Sequence, residues 1–569
     1  MRATCRSGDS GRSECSLQFS TRFLPTPSWW SKLKTVFDFI VIGAGSAGCA
    51  LAARLSEDGR YSVLLVESGG AARNLWLHIP LGVGKLLTNE KYVWPFSSTD
   101  QANMAGQKIY SPRGKVLGGS SAVNGMAYIW GDPAAYDGWG VEGWCWKDVV
   151  PYFQKLEDNP YTTHPGRGHS GPVKITDLKK RNPDPISEAF IAACVEHGIP
   201  ETDDYNAGSY EGVRYLEQTA ENGIRCSAAT AYLRDSKKRV NLKILTNAAM
   251  RTIQFDGTCA TGVCVLYKGK ERELTATREV LLAAGAIHSP QLLELSGLGD
   301  EQRIRGLGIP VVADLPQVGE NLSDHLQLRR TYQTNIPNTI NDLLSHPYHK
   351  IRFALTYLLK RKGHIAGTSS TAHAITRSRT NVELADIMVR MYQISGADRY
   401  SRSKAGGIDR YSGFTLGGFK LYPKSRGSVH AMSPDPNQLP KLEPNYLEEI
   451  EDQETALDIL KLLAALANEP GLSKTIVAEK RPRLDVEDDA ALIDYAKASG
   501  QTAWHTVGSC KMGSDGANSV VDKRLRVHGI QSLRVVDASI LPTIPSSNTN
   551  AAAIMVGEKG ADLVLYDHA

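Results

Sequence analysis

The sequence predicts an α/β protein: a Rossmann-like βαβ core interwoven with a second, α+β domain. Three observations predict it. Residues 37–42 (FDFIVI) are a short apolar, β-branched run that leads into a glycine turn, the pattern of a buried parallel strand. A helical stretch, AGCALAARLSEDG, follows the turn, and a second apolar strand from Tyr61 to Val66 completes a βαβ unit of about 30 residues. Further apolar strands at Leu242–Leu245, Glu279–Ala284 and Leu533–Val536 can extend the same sheet. The regions between them are richer in long helices and proline loops, so the chain is expected to cross between domains several times. The expected division is 37–149, 211–324 and 496–569 for the nucleotide-type domain, and 150–210 and 325–495 for the second.

Size and composition agree. A chain of 569 residues is long enough for two cores. It is 41% hydrophobic and 22% charged, the range of a globular protein. A net charge of +4 gives no reason to expect nucleic acid or a membrane surface as partner. No apolar run reaches the ~18 residues of a spanning helix, so no integral membrane segment is expected. Nine cysteines, an odd number without a CxxC pair, argue against a disulfide framework or a metal site and for a reducing cytoplasm. Residues 1–36 carry Arg2, Arg6, Arg12, Arg22, Lys32 and Lys34 against Asp9 and Glu14. A transit peptide shares that composition; a disordered extension is the expectation.

The glycine turn reads Gly43-x-Gly45-x-x-Gly48, and Glu67 ends the next strand. Gly43 permits the tight turn, Gly45 lets backbone approach a pyrophosphate, and Gly48 lets helix and strand pack closely. The helix N-terminus offers N–H groups and partial positive charge to phosphates. Glu67 can accept from a ribose. This unit alone does not distinguish FAD from NAD.

Longer motifs do. GKVLGGSSAVN (114–124), GAIHSPQLLELSGLG (285–299), VGENLSDH (318–325), PKSRGSV (423–429), HTVGSCKMG (505–513) and the C-terminal run from Arg534 to Val564 together resemble the glucose–methanol–choline (GMC) oxidoreductase family. The likeness runs from about residue 37 to the end. It implies an FAD-binding Rossmann-like domain and a substrate-binding domain with an antiparallel sheet covered by helices. It implies Ser46 and Ala47 at the pyrophosphate, Glu67 and Ser68 at the adenosine ribose, and Met250 at the adenine. It places Trp94, Val116, Gly119, Asn124, Gly125, Met126 and Ala127 along the flavin half. Asp537 and Ala538 would approach the phosphates and ribityl chain, and Asn548, Thr549 and Asn550 the isoalloxazine; Ala284 and Trp504 complete the set. Some members tether the flavin to a histidine in the signature loop. Here Val123 precedes Asn124, so FAD is expected to be non-covalent.

Alcohol oxidation needs a base near neutral pH and a fixed hydride acceptor. Histidine suits the first task, with an unperturbed pKa of about 6.5. The resemblance assigns the base to His505, in WHTVGSCKMG, and the positioning of the substrate oxygen to Asn548, in PSSNTNAA. His325, in SDHL, is expected to be structural. The expected reaction is oxidation of a primary alcohol to its aldehyde, with oxygen or a quinone-type acceptor. The alternative is a hydroxynitrile lyase or another non-oxidative member of the fold. No acid is assignable to a cage for a choline-like ammonium, so uncharged alcohols are favoured.

Overall fold

The computed structural model describes residues 35–235, 238–345, 347–397 and 407–569; the N-terminal extension expected over 1–36 lies, save its last two residues, outside them. The first strand runs Val36–Ile42, a helix follows at Ser46–Leu55, and Val63–Glu67 is the second strand. These are the elements read from the apolar run, the glycine turn and the second apolar run. Leu242–Thr246, Val63–Glu67, Val36–Ile42, the second half of Lys270–Leu282 and Leu533–Val535 form the parallel part of one sheet. The strand expected at Glu279–Ala284 is the end of this longer strand. Its first half pairs antiparallel with Cys259–Tyr267, which pairs in turn with Ala248–Asp256. Those residues alternate polar and apolar (KERELTATR) because one face meets water, so they lack the continuous apolar signal of a central strand.

The second sheet is antiparallel, in the order Ile476–Arg481, Leu326–Thr334, Gly413–Lys420, Ile387–Tyr392, Ser370–Thr376, Gly212–Tyr215. Helix Ile450–Asn468 covers it, burying Ile459, Leu460, Leu463 and Leu466. A Cβ on Gly418 would meet Ile459 Cγ2 at 2.6 Å, so that glycine sets how closely helix and sheet approach. Gly212–Tyr215 and Gln501–Thr502 both pair into this sheet, although both fall within segments assigned above to the nucleotide-type domain. Both are too short to carry a pattern of their own, and their pairing is set by distant partners. Two large apolar clusters result, one around the first sheet and one beneath the second.

Candidate active site

The site is built where three helices begin. Ser46–Leu55, Gly285–Glu294 and Thr549–Asp567 all start at residues that line one cavity of about 1310 Å³. That exceeds the ~300–1,000 Å³ of a pocket for a drug-sized ligand. Neither Gly45 nor Asn548 caps its helix with a side-chain hydrogen bond, so first-turn N–H groups and the helix dipoles are left for an anion. Ser46 Oγ donates to Asn550 Oδ1 at 2.8 Å and locks two of the helix starts together. A Cβ at Gly45 would meet nothing within 4 Å, whereas one at Gly48 would stand 1.9 Å from Gly43 O. Gly45 therefore leaves room for a ligand, and Gly48 is needed for packing. The signature loop seats directly on this turn: Gly119 has φ +53, and its Cβ would come within 2.6 Å of Gly45 Cα. Glu67 accepts from Ala44 N (3.0 Å) and Gly69 N (2.7 Å), and burial raises its pKa to about 7 against those two bonds. This cradle, with a buried acid beside paired helix N-termini, fits a dinucleotide diphosphate.

All the expected cofactor and catalytic residues line this cavity except Gly48 and Val116. Val116 was expected along the flavin half. Instead its side chain packs with Leu77, Leu86, Val93, Ala122 and Val123, because a branched apolar residue gains more behind the loop than in front of it. Asp537 lines the cavity but is committed elsewhere: Oδ2 accepts from Gly285 N (2.8 Å) and Ser289 Oγ (2.6 Å), and Oδ1 from Ser539 N (2.8 Å).

The end of the cavity that holds the expected catalytic pair is a single hydrogen-bonded chain. His325 Nε2 lies 3.0 Å from Leu421 O, and His325 Nδ1 lies 2.9 Å from His505 Nδ1. Asn548 Nδ2 lies 2.8 Å from His505 Nε2, and Arg390 donates to Asn548 Oδ1. Both ends of the chain are fixed. A carbonyl only accepts and a guanidinium only donates. Burial pushes the His325 pKa down to about 3, so its ring is neutral. His325 must then carry its proton on Nε2 and accept at Nδ1. His505 must donate from Nδ1, which leaves the Nε2 lone pair toward Asn548 and the cavity. The tautomer a base requires is thus imposed by Leu421 O, through His325. Asp324 Oδ1 accepts from both His325 N (2.9 Å) and His505 N (2.7 Å), tying the two backbones together. Trp504, just before His505, has φ 67, a region that costs a bulky residue on the order of 1–3 kcal/mol. Arg113 holds that turn through Trp504 O (2.8 Å) and Thr506 Oγ1 (2.5 Å).

The model for GMC oxidoreductases matches residues 37–327, and its C-terminal counterpart matches 423–557. The chain belongs to the GMC oxidoreductase family. An oxygen-dependent choline dehydrogenase of Photobacterium profundum is 36% identical over 542 residues, 94% of either chain. Among solved structures, pyridoxine 4-oxidase from Mesorbium loti is 29% identical with a TM-score of 0.83, covering 94% of this chain and 99% of that one. Formate oxidase, at 24% identity and a TM-score of 0.87, shares the fold. This GMC oxidoreductase uses FAD and acts on CH–OH donors. Sequence reasoning missed Arg390, because an arginine in a strand (IMVRMY) has no motif around it. It also left out the contact of His325 with His505.

Proposed function

We propose that this chain oxidises a primary alcohol to its aldehyde, with His505 as the base and Asn548 as the group that positions the substrate oxygen. The observation that carries the reading is the 2.8 Å contact between Asn548 Nδ2 and the lone-pair nitrogen of His505, at the wall of the cavity. A hydroxyl that displaces this direct hydrogen bond donates its proton to His505 Nε2 and accepts from Asn548 Nδ2 in one shared contact. That contact holds the oxygen where proton removal and hydride departure coincide. The proton goes to His505, the hydride leaves the carbinol carbon, and the carbon–oxygen bond becomes a carbonyl. FAD, when bound, accepts the hydride. Neutral His325 accepts the Nδ1 proton throughout and stays in contact as His505 becomes cationic.

The substrate is an uncharged alcohol in this reading, and charge supports it. Among the described lining residues the only carboxylates are Glu67 and Asp537, and both accept backbone N–H groups. Arg390, buried and bonded to Asn548, puts positive charge at the catalytic end. A quaternary ammonium such as choline would meet like charge there and no anion. Because the curated relatives are named for oxygen, oxygen is the first acceptor to test.

The test is anaerobic stopped-flow reduction of the bound flavin by a panel of alcohols. His505→Ala should slow reduction roughly 10²–10⁴-fold while leaving FAD bound. Reduction at the parent rate would assign the base elsewhere. Flavin that no alcohol bleaches, with turnover of a cyanohydrin, would favour the lyase alternative.

A further inference from the structure

Helix Pro347–Lys360 exposes an apolar face at the edge of the cavity. At 3.6 residues per turn, Tyr348, Ile351, Leu355, Leu358 and Leu359 share an arc of about 100°, the width of a core-facing stripe. Yet these five side chains are 71, 63, 51, 64 and 80% exposed. The helix already has a buried side: Tyr357 packs with Ile79 and Ala366, and its hydroxyl donates to Gly223 O at 3.1 Å. Between the two sides, Lys350 and Ala354 line the cavity, so the apolar arc borders its mouth. Leu344, 39% exposed and just before the helix, lines the cavity too. Ile79 of the Tyr357 cluster lies three residues from Trp76, which also lines the cavity, and Leu75 beside it in the chain is 66% exposed. Single exposed leucines are ordinary; a contiguous patch marks an interaction site.

Charge says what covers it. The 40 residues between Asp342 and Glu383 hold no acid and seven arginines and lysines. Arg377 and Arg379 pair with Glu211, Glu454 and Asp458. Lys350, Arg352, Lys360, Arg361 and Lys362, on or next to the helix, form no ion pair among the described residues. A second copy meeting this arc would bring the same five cations against their equivalents. An apolar layer with anionic headgroups satisfies both the arc and its flanks, which is how an interfacial amphipathic helix seats. No helix among the described residues is long and apolar enough to cross a membrane, so the attachment is to one face.

We propose that helix Pro347–Lys360 is a membrane-binding surface that seats the mouth of the cavity on an anionic lipid bilayer. The probe is co-sedimentation of the full-length, FAD-loaded protein with phosphatidylcholine vesicles, with and without phosphatidylglycerol. The protein should sediment with the phosphatidylglycerol vesicles, far less with phosphatidylcholine alone, and less as salt rises. Leu355→Glu with Leu358→Glu should cut the bound fraction about tenfold or more. Neither residue lines the cavity, so turnover of a water-soluble alcohol without vesicles should match the parent. As a second variant that leaves the apolar arc intact, Lys360→Glu, Arg361→Glu and Lys362→Glu together should abolish the preference for phosphatidylglycerol. A parent protein that stays in the supernatant with both vesicle types overturns the proposal. So does a concentration-dependent dimer, seen by ultracentrifugation without vesicle binding, that Leu355→Glu with Leu358→Glu dissociates.

Discussion

His325 and His505 meet nitrogen to nitrogen, Nδ1 to Nδ1 at 2.9 Å, with Leu421 O behind the first ring and Asn548 in front of the second. Two rings in this arrangement share one proton between them, and the carbonyl decides which ring owns it. In the proposed reaction His325 is therefore a positioning residue for His505, although it is fully buried and does not line the cavity.

His325→Ala should slow flavin reduction by roughly 10–10²-fold, the size of loss seen when the partner that orients a metal-ligating imidazole is removed. His325→Gln should restore most of the rate, since its amide can accept from His505 and donate to Leu421 O. Stopped-flow reduction of both variants checks this. A glutamine variant as slow as the alanine variant would show that packing, not the tautomer, is what His325 supplies.

Arg390→Gln removes the buried positive charge but keeps a donor for Asn548 Oδ1. The ratio of kcat/KM for choline to that for a neutral alcohol should rise at least about tenfold, because a like-charge juxtaposition costs several kcal/mol. Steady-state kinetics with both substrates decide the matter. An unchanged ratio would mean that Arg390 does not face the substrate.

Glu67→Gln should weaken FAD retention. One carboxylate oxygen becomes an N–H₂ group facing a backbone N–H, either of Ala44 or of Gly69. An unpaired buried donor costs about 1–3 kcal/mol. The pH dependence has a defined sign. Burial raises the Glu67 pKa from 4.5 to about 7, so the folded, FAD-free protein binds more protons than the unfolded chain in that window. Its stability contribution falls as pH rises from 4.5 to about 7, and Glu67→Gln should flatten that fall. Flavin content and thermal melts of the FAD-free protein across pH test both parts.

Acid precipitation should release FAD into the supernatant. Val123 offers no nucleophile and is buried against Leu77, Leu86 and Val93, and residues 114–124 contain no histidine. Flavin retained on the polypeptide would point to His288, the imidazole besides His505 that lines the cavity.

What the sequence determined by itself was local. The βαβ unit, its glycine turn and Glu67 are contiguous, so their apolar pattern and spacing already imply the turn geometry and the dinucleotide site. Nearly every site residue read from the signature motifs lines the cavity, because those motifs supply loops and helix starts at its wall. Tertiary structure decided what depends on residues far apart in the chain. His325 and His505 are 180 positions apart and Arg390 and Asn548 are 158 apart, so no periodicity could join them into one chain of donors and acceptors. The same holds for Val116, whose neighbours set which way it faces. Net charge is a sum and hides segregation: +4 over the whole chain conceals forty residues without an acid. Only burial, which depends on every other element, shows that the apolar arc of their helix faces outward.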